Sequence, residues 1–261
     1  MPASKTLILL FILVLFILPV AARAALFAFE GHPMDWRSAD WSSAGLLPKA
    51  PEHPQARVLV FSGRTGGLKG LLAVHSWIVV KAENARSWTR YDVVGWGNPV
   101  RLNGWAADGR WFGDVPTVVA DVRGAEAEAL IPRIQAAVRD YRYANAGDYR
   151  IWPGPNSNSF VATVLRAVPE LRATLPPNAV GKDYHEDGFY AGLTASRTGL
   201  EVSFWGLLGV KVGWVEGLEL NFLTLVTGID IRQPAIKLPA FGRIGLSWPA
   251  THTTEPSAVR G

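Results

Sequence analysis

One uninterrupted apolar run constrains this chain more than any other feature. Lys5 is followed by residues 6–20, TLILLFILVLFILPV, which hold no charge. A helix that is apolar all round cannot serve as an ordinary half-buried surface helix. Two fates remain. The sequence Ala22-Arg23-Ala24 has the small-x-small form that signal peptidase cuts, as in an export signal. Extended through residues 25–29, the run approaches the roughly 20 residues that cross ~30 Å of hydrocarbon if Arg23 snorkels, as in a retained anchor. Residues 1–29 are therefore expected to be a signal sequence or membrane anchor. The positive-inside rule keeps Lys5 cytoplasmic and sends the domain to the far side.

The remaining length suits one domain over residues 30–248, and residues 249–261, rich in Thr, Ser and Pro, are expected to be a disordered tail. The chain has no cysteine, which excludes disulfides, thiolate metal sites and a cysteine nucleophile. A net charge of +4 with no basic run interleaved with aromatics argues against a nucleic-acid partner. The turn GRTGGLKG at 63–70 is followed by Leu71, where a phosphate-binding loop requires Ser or Thr, so no nucleotide site is expected.

Residues 57–61 read as a short strand, 71–81 (LLAVHSWIVVK) as a buried strand centred on His75, 88–96 as its hairpin partner, and 118–122 as a further strand. Tyr91 and Asp92 are placed to orient an imidazole across the hairpin. The stretch 98–116 is a loop rich in Trp and Gly, and 125–143 is an amphipathic helix interrupted by Pro132. From Thr198 onward polarity alternates, with Val210, Val212 and Trp214 opposing Lys211 and Gly213, as in antiparallel strands joined at glycines.

The densest candidate for chemistry is residues 152–166, WPGPNSNSFVATVLR. Pro153 and Pro155 stiffen a loop that runs into Asn156, Ser157, Asn158 and Ser159 and then into apolar residues at helical spacing, so a helix begins near Ser157. Unpaired amides at a helix start favour an anion or a developing oxyanion, which suits a serine nucleophile. The plainer alternative is that Ser157 or Ser159 merely caps the helix. Farther on, GKDYHEDGFYAG at 181–192 packs Asp183, His185, Glu186 and Asp187 together. The cluster lacks the second histidine of the usual zinc patterns, so a solvated turn is expected, with no metal and no cofactor.

The segments HSWIVVK at 75–81, WPGPNSNSFV at 152–161 and GKDYHEDGFYAG at 181–192 together resemble the bacterial family called domain of unknown function 3750. More remotely, NSNSFV is similar to the Asn-Cys-x-x-Phe-Val motif of circularly permuted papain-like proteins, the NlpC and lecithin retinol acyltransferase groups. In those proteins a strand histidine precedes a helix-borne cysteine. Here His75 precedes Ser157 in the same order, with serine where that family places cysteine. The implied fold is α+β: an antiparallel sheet packed by two main helices, permuted papain-like, with a β-rich C-terminal part and the N-terminal membrane helix.

Two functions follow. The chain is expected to be an envelope protein anchored in a bacterial inner membrane with its domain on the periplasmic side. In the first reading it is a non-catalytic binder of an envelope glycan, peptide or lipid headgroup, in a groove lined by Trp77 and Trp152 with Asn156, Asn158, Ser159 and Asp183. In the alternative it is a hydrolase or acyltransferase on an amide or ester, with Ser157 as nucleophile, His75 as base and Asp92 as orienter.

Overall fold

The structure, a computed structural model, describes residues 3–246 apart from 32 and 34. The expected tail at 249–261 lies outside the described residues. The apolar run forms α1 (Ala3–Ile12), a π-helical segment (Leu13–Ile17) and α2 (Leu18–Phe27). Residues Ser4–Phe27 thus make a 24-residue helix whose most apolar 18-residue stretch has a mean hydropathy of 2.8, long and apolar enough to cross a membrane. Its Arg23 does not reach for solvent: both guanidinium nitrogens donate to the Glu30 carboxylate, at 2.7 and 2.6 Å.

The rest is mixed helix and antiparallel strand, in two sheets, the expected helix-packed sheet and a second one formed by the β-rich C-terminal part. The first consists of β1 (Arg57–Arg64), β2 (Val74–Lys81), β3 (Thr89–Val93), β4 (Val100–Leu102) and β5 (Thr117–Arg123), in the order β4-β3-β2-β1-β5. Strands β1 to β4 meander, and β5 closes on the free side of β1. Two helices cover one face: α3 (Gly124–Arg139), which continues through Pro132, and α4 (Ser157–Ala167). The main core lies there, where Val58, Val60, Ile78 and Val80 meet Leu130, Ile134, Phe160 and Val164.

Successive strand side chains point to opposite faces. The other parity of β1 and β2, Leu59, Phe61, Trp77 and Val79, therefore forms a second apolar cluster, roofed by Trp111 with Trp41, Trp105 and Phe112 packed around it. Every residue of β2 is buried, because helices cover one face and the aromatic loop the other.

The C-terminal part is a sheet of its own. β6 (Phe189–Leu193), β7 (Gly199–Phe204), β8 (Leu208–Gly213), β9 (Gly217–Phe222), β10 (Leu225–Asp230), β11 (Ala235–Leu238) and β12 (Gly242–Gly245) form a seven-stranded meander. Its register sets Glu201, Lys211 and Glu219 side by side on the inner face, with Lys237 beyond Gly228. The tight turns depend on glycine: a Cβ on Gly217, whose φ is +69°, would lie 2.2 Å from the Ile229 carbonyl oxygen.

Candidate functional site

Asn156, not a serine, is the N-cap of α4. Its extended backbone (φ −147°, ψ −169°) turns the side-chain oxygen onto the amides of Asn158 and Ser159, at 2.9 and 3.1 Å. Ser159 completes a capping box by accepting from the Asn156 amide at 2.6 Å. The Asn156 side-chain amide donates to the carbonyls of Ile151 and Val180, and that of Asn158 donates to Val74 and Val180. These bonds tie the helix start to β2 and to the loop before Gly181.

Ser157, at the first helical position, is buried, with the Tyr149 hydroxyl nearby. Three of the amides that could have stabilised an oxyanion are taken, Asn158 and Ser159 by the cap and Phe160 by the Asn156 carbonyl. The expectation of free amide donors at this helix start is corrected by the capping box.

His75 stands on the opposite face of β2 from α4, in register with the Trp77 and Val79 cluster. Its Nε2 donates to Asp92 Oδ1 at 2.8 Å, and its ring stacks on Trp111 with centroids 3.7 Å apart. Arg90 holds the same carboxylate through Nε at 2.6 Å and Nη2 at 3.0 Å. It also donates to the Ala106 carbonyl and lies 4.0 Å over the Trp77 ring. Burial pushes the His75 pKa down more strongly than Asp92 pulls it up, so the ring is neutral. Burial would raise Asp92, but the Arg90 charge and the bonds from His75 and Arg90 outweigh it and hold the carboxyl below its usual range.

The structure thus brings His75 and Asp92 together and leaves Ser157 apart. Nε2 is occupied by Asp92 and does not meet the serine. Tyr91, in register with Ile78, faces the helix side and orients nothing. The groove expected at Trp77 and Trp152 is not formed: Trp77 is wholly buried with its indole N–H on the Ala107 carbonyl, whereas the half-exposed Trp152 donates to Thr224.

Asp183 and His185 are buried, which corrects the expectation of a solvated turn, although Glu186 and Asp187 stay at its outer edge. Asp183 takes Lys182 at 3.0 Å and Lys211 at 2.7 Å. Glu219 takes Lys182 and Lys237, and His185 bonds Glu201 at 2.9 Å. Burial opposes the ionised forms here, yet the lysines win and Asp183, Glu201 and Glu219 all titrate below their usual values. Among the described residues no group of three or more His, Asp and Glu is arranged to hold a metal ion.

An open cleft of ≈ 910 Å³ lies between the β5 side of the first sheet and the β10–β12 end of the second. Arg64, Arg123, Arg172, Arg232 and Arg243 line it, against Asp114, Asp121 and Asp230. Arg123 is paired with Asp121 and Arg243 with Asp230. Among the described residues Arg172 has no side-chain partner, and Arg232 has only the Arg172 carbonyl at 3.4 Å. Arg172 sits at φ +44°, ψ +41°, a left-handed conformation that side-chain-bearing residues rarely adopt. Sequence reasoning passed over these arginines as a group, because segments far apart in the chain bring them together.

A family model described as Protein of unknown function (DUF3750) matches residues 55–184. The matched segment holds the first sheet, α3 and α4, and stops before β6. Searches of the curated proteins and of the solved structures return no match.

Proposed function

For this member of the DUF3750 family, we propose a non-catalytic envelope protein, tethered by its N-terminal helix, that binds an anionic ligand in the arginine-lined cleft. The observation that carries this reading is the pair Arg172 and Arg232, which face the cleft without a carboxylate. Three carboxylates against five guanidinium groups leave the lining cationic, and guanidinium forks match phosphate and carboxylate oxygens. A lipid headgroup or an acidic glycan offers that chemistry. Lys5 preceding the apolar run supports a domain on the periplasmic side of a bacterial inner membrane.

A permuted papain-like arrangement is supported by chain order and packing alone: a histidine-bearing strand, β2, precedes a helix, α4, that packs on it. The acyl-transfer alternative lacks its chemistry. Ser157 has no base among its hydrogen-bond partners, His75 spends Nε2 on Asp92, and the amides of Asn158 and Ser159 are capped.

The test is titration of the full chain, in detergent, with glycerol phosphate and with a carboxylated disaccharide. Binding of either is expected to weaken with salt and to fall at least about tenfold in Arg172→Ala/Arg232→Ala, since a charge-assisted bond contributes about 1.5–3 kcal/mol. Binding that ignores both arginines, or no binding of either probe, would overturn the proposal.

A further inference from the structure

The seven-stranded sheet wears its apolar side outward. Its register lines up one aliphatic residue from every strand, running from Leu193 through Leu200, Val212, Leu218, Ile229 and Ile236 to Ile244. All seven are exposed, Leu200 at 66%. A parallel row sets Phe189, Phe204, Leu208, Phe222 and Leu225 side by side, and Val202 and Val210 lie between the two. The charges of these strands are on the other parity, facing the protein. At ~4.8 Å per strand the face is roughly 29 Å wide and roughly 20 Å along the strands, on the order of 600 Å², the upper end of what a soluble surface carries.

The membrane helix says what covers it. Phe16, near the middle of the 24-residue helix, is 2% exposed and packs on Phe222 of this face, 5.6 Å between ring centroids. The helix presents Leu9, Leu10, Phe11, Leu13, Val14 and Ile17 alongside, all exposed. Helix and sheet face form one continuous apolar surface, and two surfaces in contact share one medium. Arg23, the charge at the far end of the helix, is buried against Glu30. Trp205 and Trp214, in the turns at opposite ends of β8, are both exposed, where interfacial tryptophans flank lipid-facing strands.

We propose that the outward face of β6–β12 is a second membrane-contact surface, seated on bilayer hydrocarbon beside the N-terminal helix. Contact is one-sided, since the opposite face carries the buried ion network. The domain then lies on the bilayer instead of hanging from a tether. This inference does not depend on what fills the arginine cleft.

The cysteine-free chain permits a direct test. Nitroxide labels are placed singly in full-length Val210→Cys and Ile236→Cys on the face, and in Glu126→Cys on exposed α3 as control. Each protein is reconstituted in phosphatidylcholine/phosphatidylglycerol nanodiscs, and power saturation is measured with oxygen and with a nickel chelate. The expected result is several-fold greater oxygen than nickel accessibility at positions 210 and 236, reversed at 126. Nickel access at 210 and 236 equal to that at 126 would show a water-facing surface and overturn the proposal. Immobilised labels shielded from both agents, with dipolar broadening between molecules, would show a second copy on the face and overturn it equally. Two face positions guard against one variant failing to fold, and neither side chain is buried.

Discussion

In the five-stranded sheet an imidazole, a carboxylate and a guanidinium lie under a roof of indoles, so that both faces are apolar and the charges form an inclusion. In the seven-stranded sheet the charges form a row across the strands on the protein side, and the aliphatic residues face away. Both regions obey the same two-residue alternation. What differs is the cover: helices and an aromatic loop enclose the first sheet, whereas the second turns its charged face to the domain and, among the described residues, its apolar face meets only the N-terminal helix, at Phe16. Alternation divides a strand into two faces, and its neighbours decide which face is inside.

The comparison breaks most visibly at Glu219. It neutralises Lys182 and Lys237 at once, and all three side chains are buried. Glu219→Ala is expected to cost about 3–5 kcal/mol in urea unfolding, because it leaves the buried Lys237 without a carboxylate and Lys182 with Asp183 alone. Replacing Glu219 by Leu together with Lys237 by Met is expected to recover much of that loss, and a double variant as unstable as the single one would show that the row does more than balance charge. In the first sheet Asp92→Ala is expected near the lower end, about 3 kcal/mol. Arg90 keeps the Ala106 carbonyl and the Trp77 face when its carboxylate is gone. A larger loss than at Glu219 would reverse the ranking of the two regions.

The alternation itself was legible. Residues 71–81 read as a buried strand and proved to be the most buried one, and the segment after Thr198 read as hairpins and is a hairpin meander. The facing of His75 was not legible, since a strand covered on both sides shows no polarity difference to reveal it. At 156–159 composition signalled a helix start, but which residue caps it depends on the backbone angles of Asn156, which Asn, Ser and Asn share as options. The charge row had a signal that was passed over: Glu201, Lys211 and Glu219 alternate in sign at one parity across successive hairpins. Arg172 had none, because its position in the cleft and its left-handed backbone are products of the tertiary fold.

Acid separates the two regions. The His75 pKa is lowered in the folded protein, mainly by burial, while an unfolded histidine titrates near ~6.5. Below that value the unfolded chain takes up a proton that the folded one refuses, so the stability His75 contributes is present above ~6.5 and is lost as pH falls toward its folded pKa. Asp183, Glu201 and Glu219 are also depressed, but against unfolded values near ~4, so their contribution persists until pH drops below ~4. Hydrogen exchange between pH 7 and 5 is expected to speed up in β2 and β3 before β7 to β9. Simultaneous loss in both sheets, or the same profile in His75→Gln, would tie the acid response to some other group.

The smallest effect is expected at Ser157, where the serine that resembles a nucleophile lies beside the asparagine that caps. Asn156→Ala removes two accepted and two donated bonds and should cost about 2 kcal/mol, the upper end for an N-cap. Ser157→Ala leaves the cap intact and removes only a hydroxyl that takes no part in it, so about 1 kcal/mol or less is expected. Fluorophosphonate labelling should be absent in the native chain and unchanged in the variant. Ser157→Cys sharpens the point, since a thiol activated by a free helix terminus and a nearby imidazole would ionise readily and react quickly with iodoacetamide. Here the terminus is capped and His75 faces the other side of β2, so alkylation no faster than that of an ordinary buried cysteine is expected. Rapid alkylation with the fold intact would mean that the two faces communicate at this end of the strand, and the acyl-transfer reading would then displace the binder.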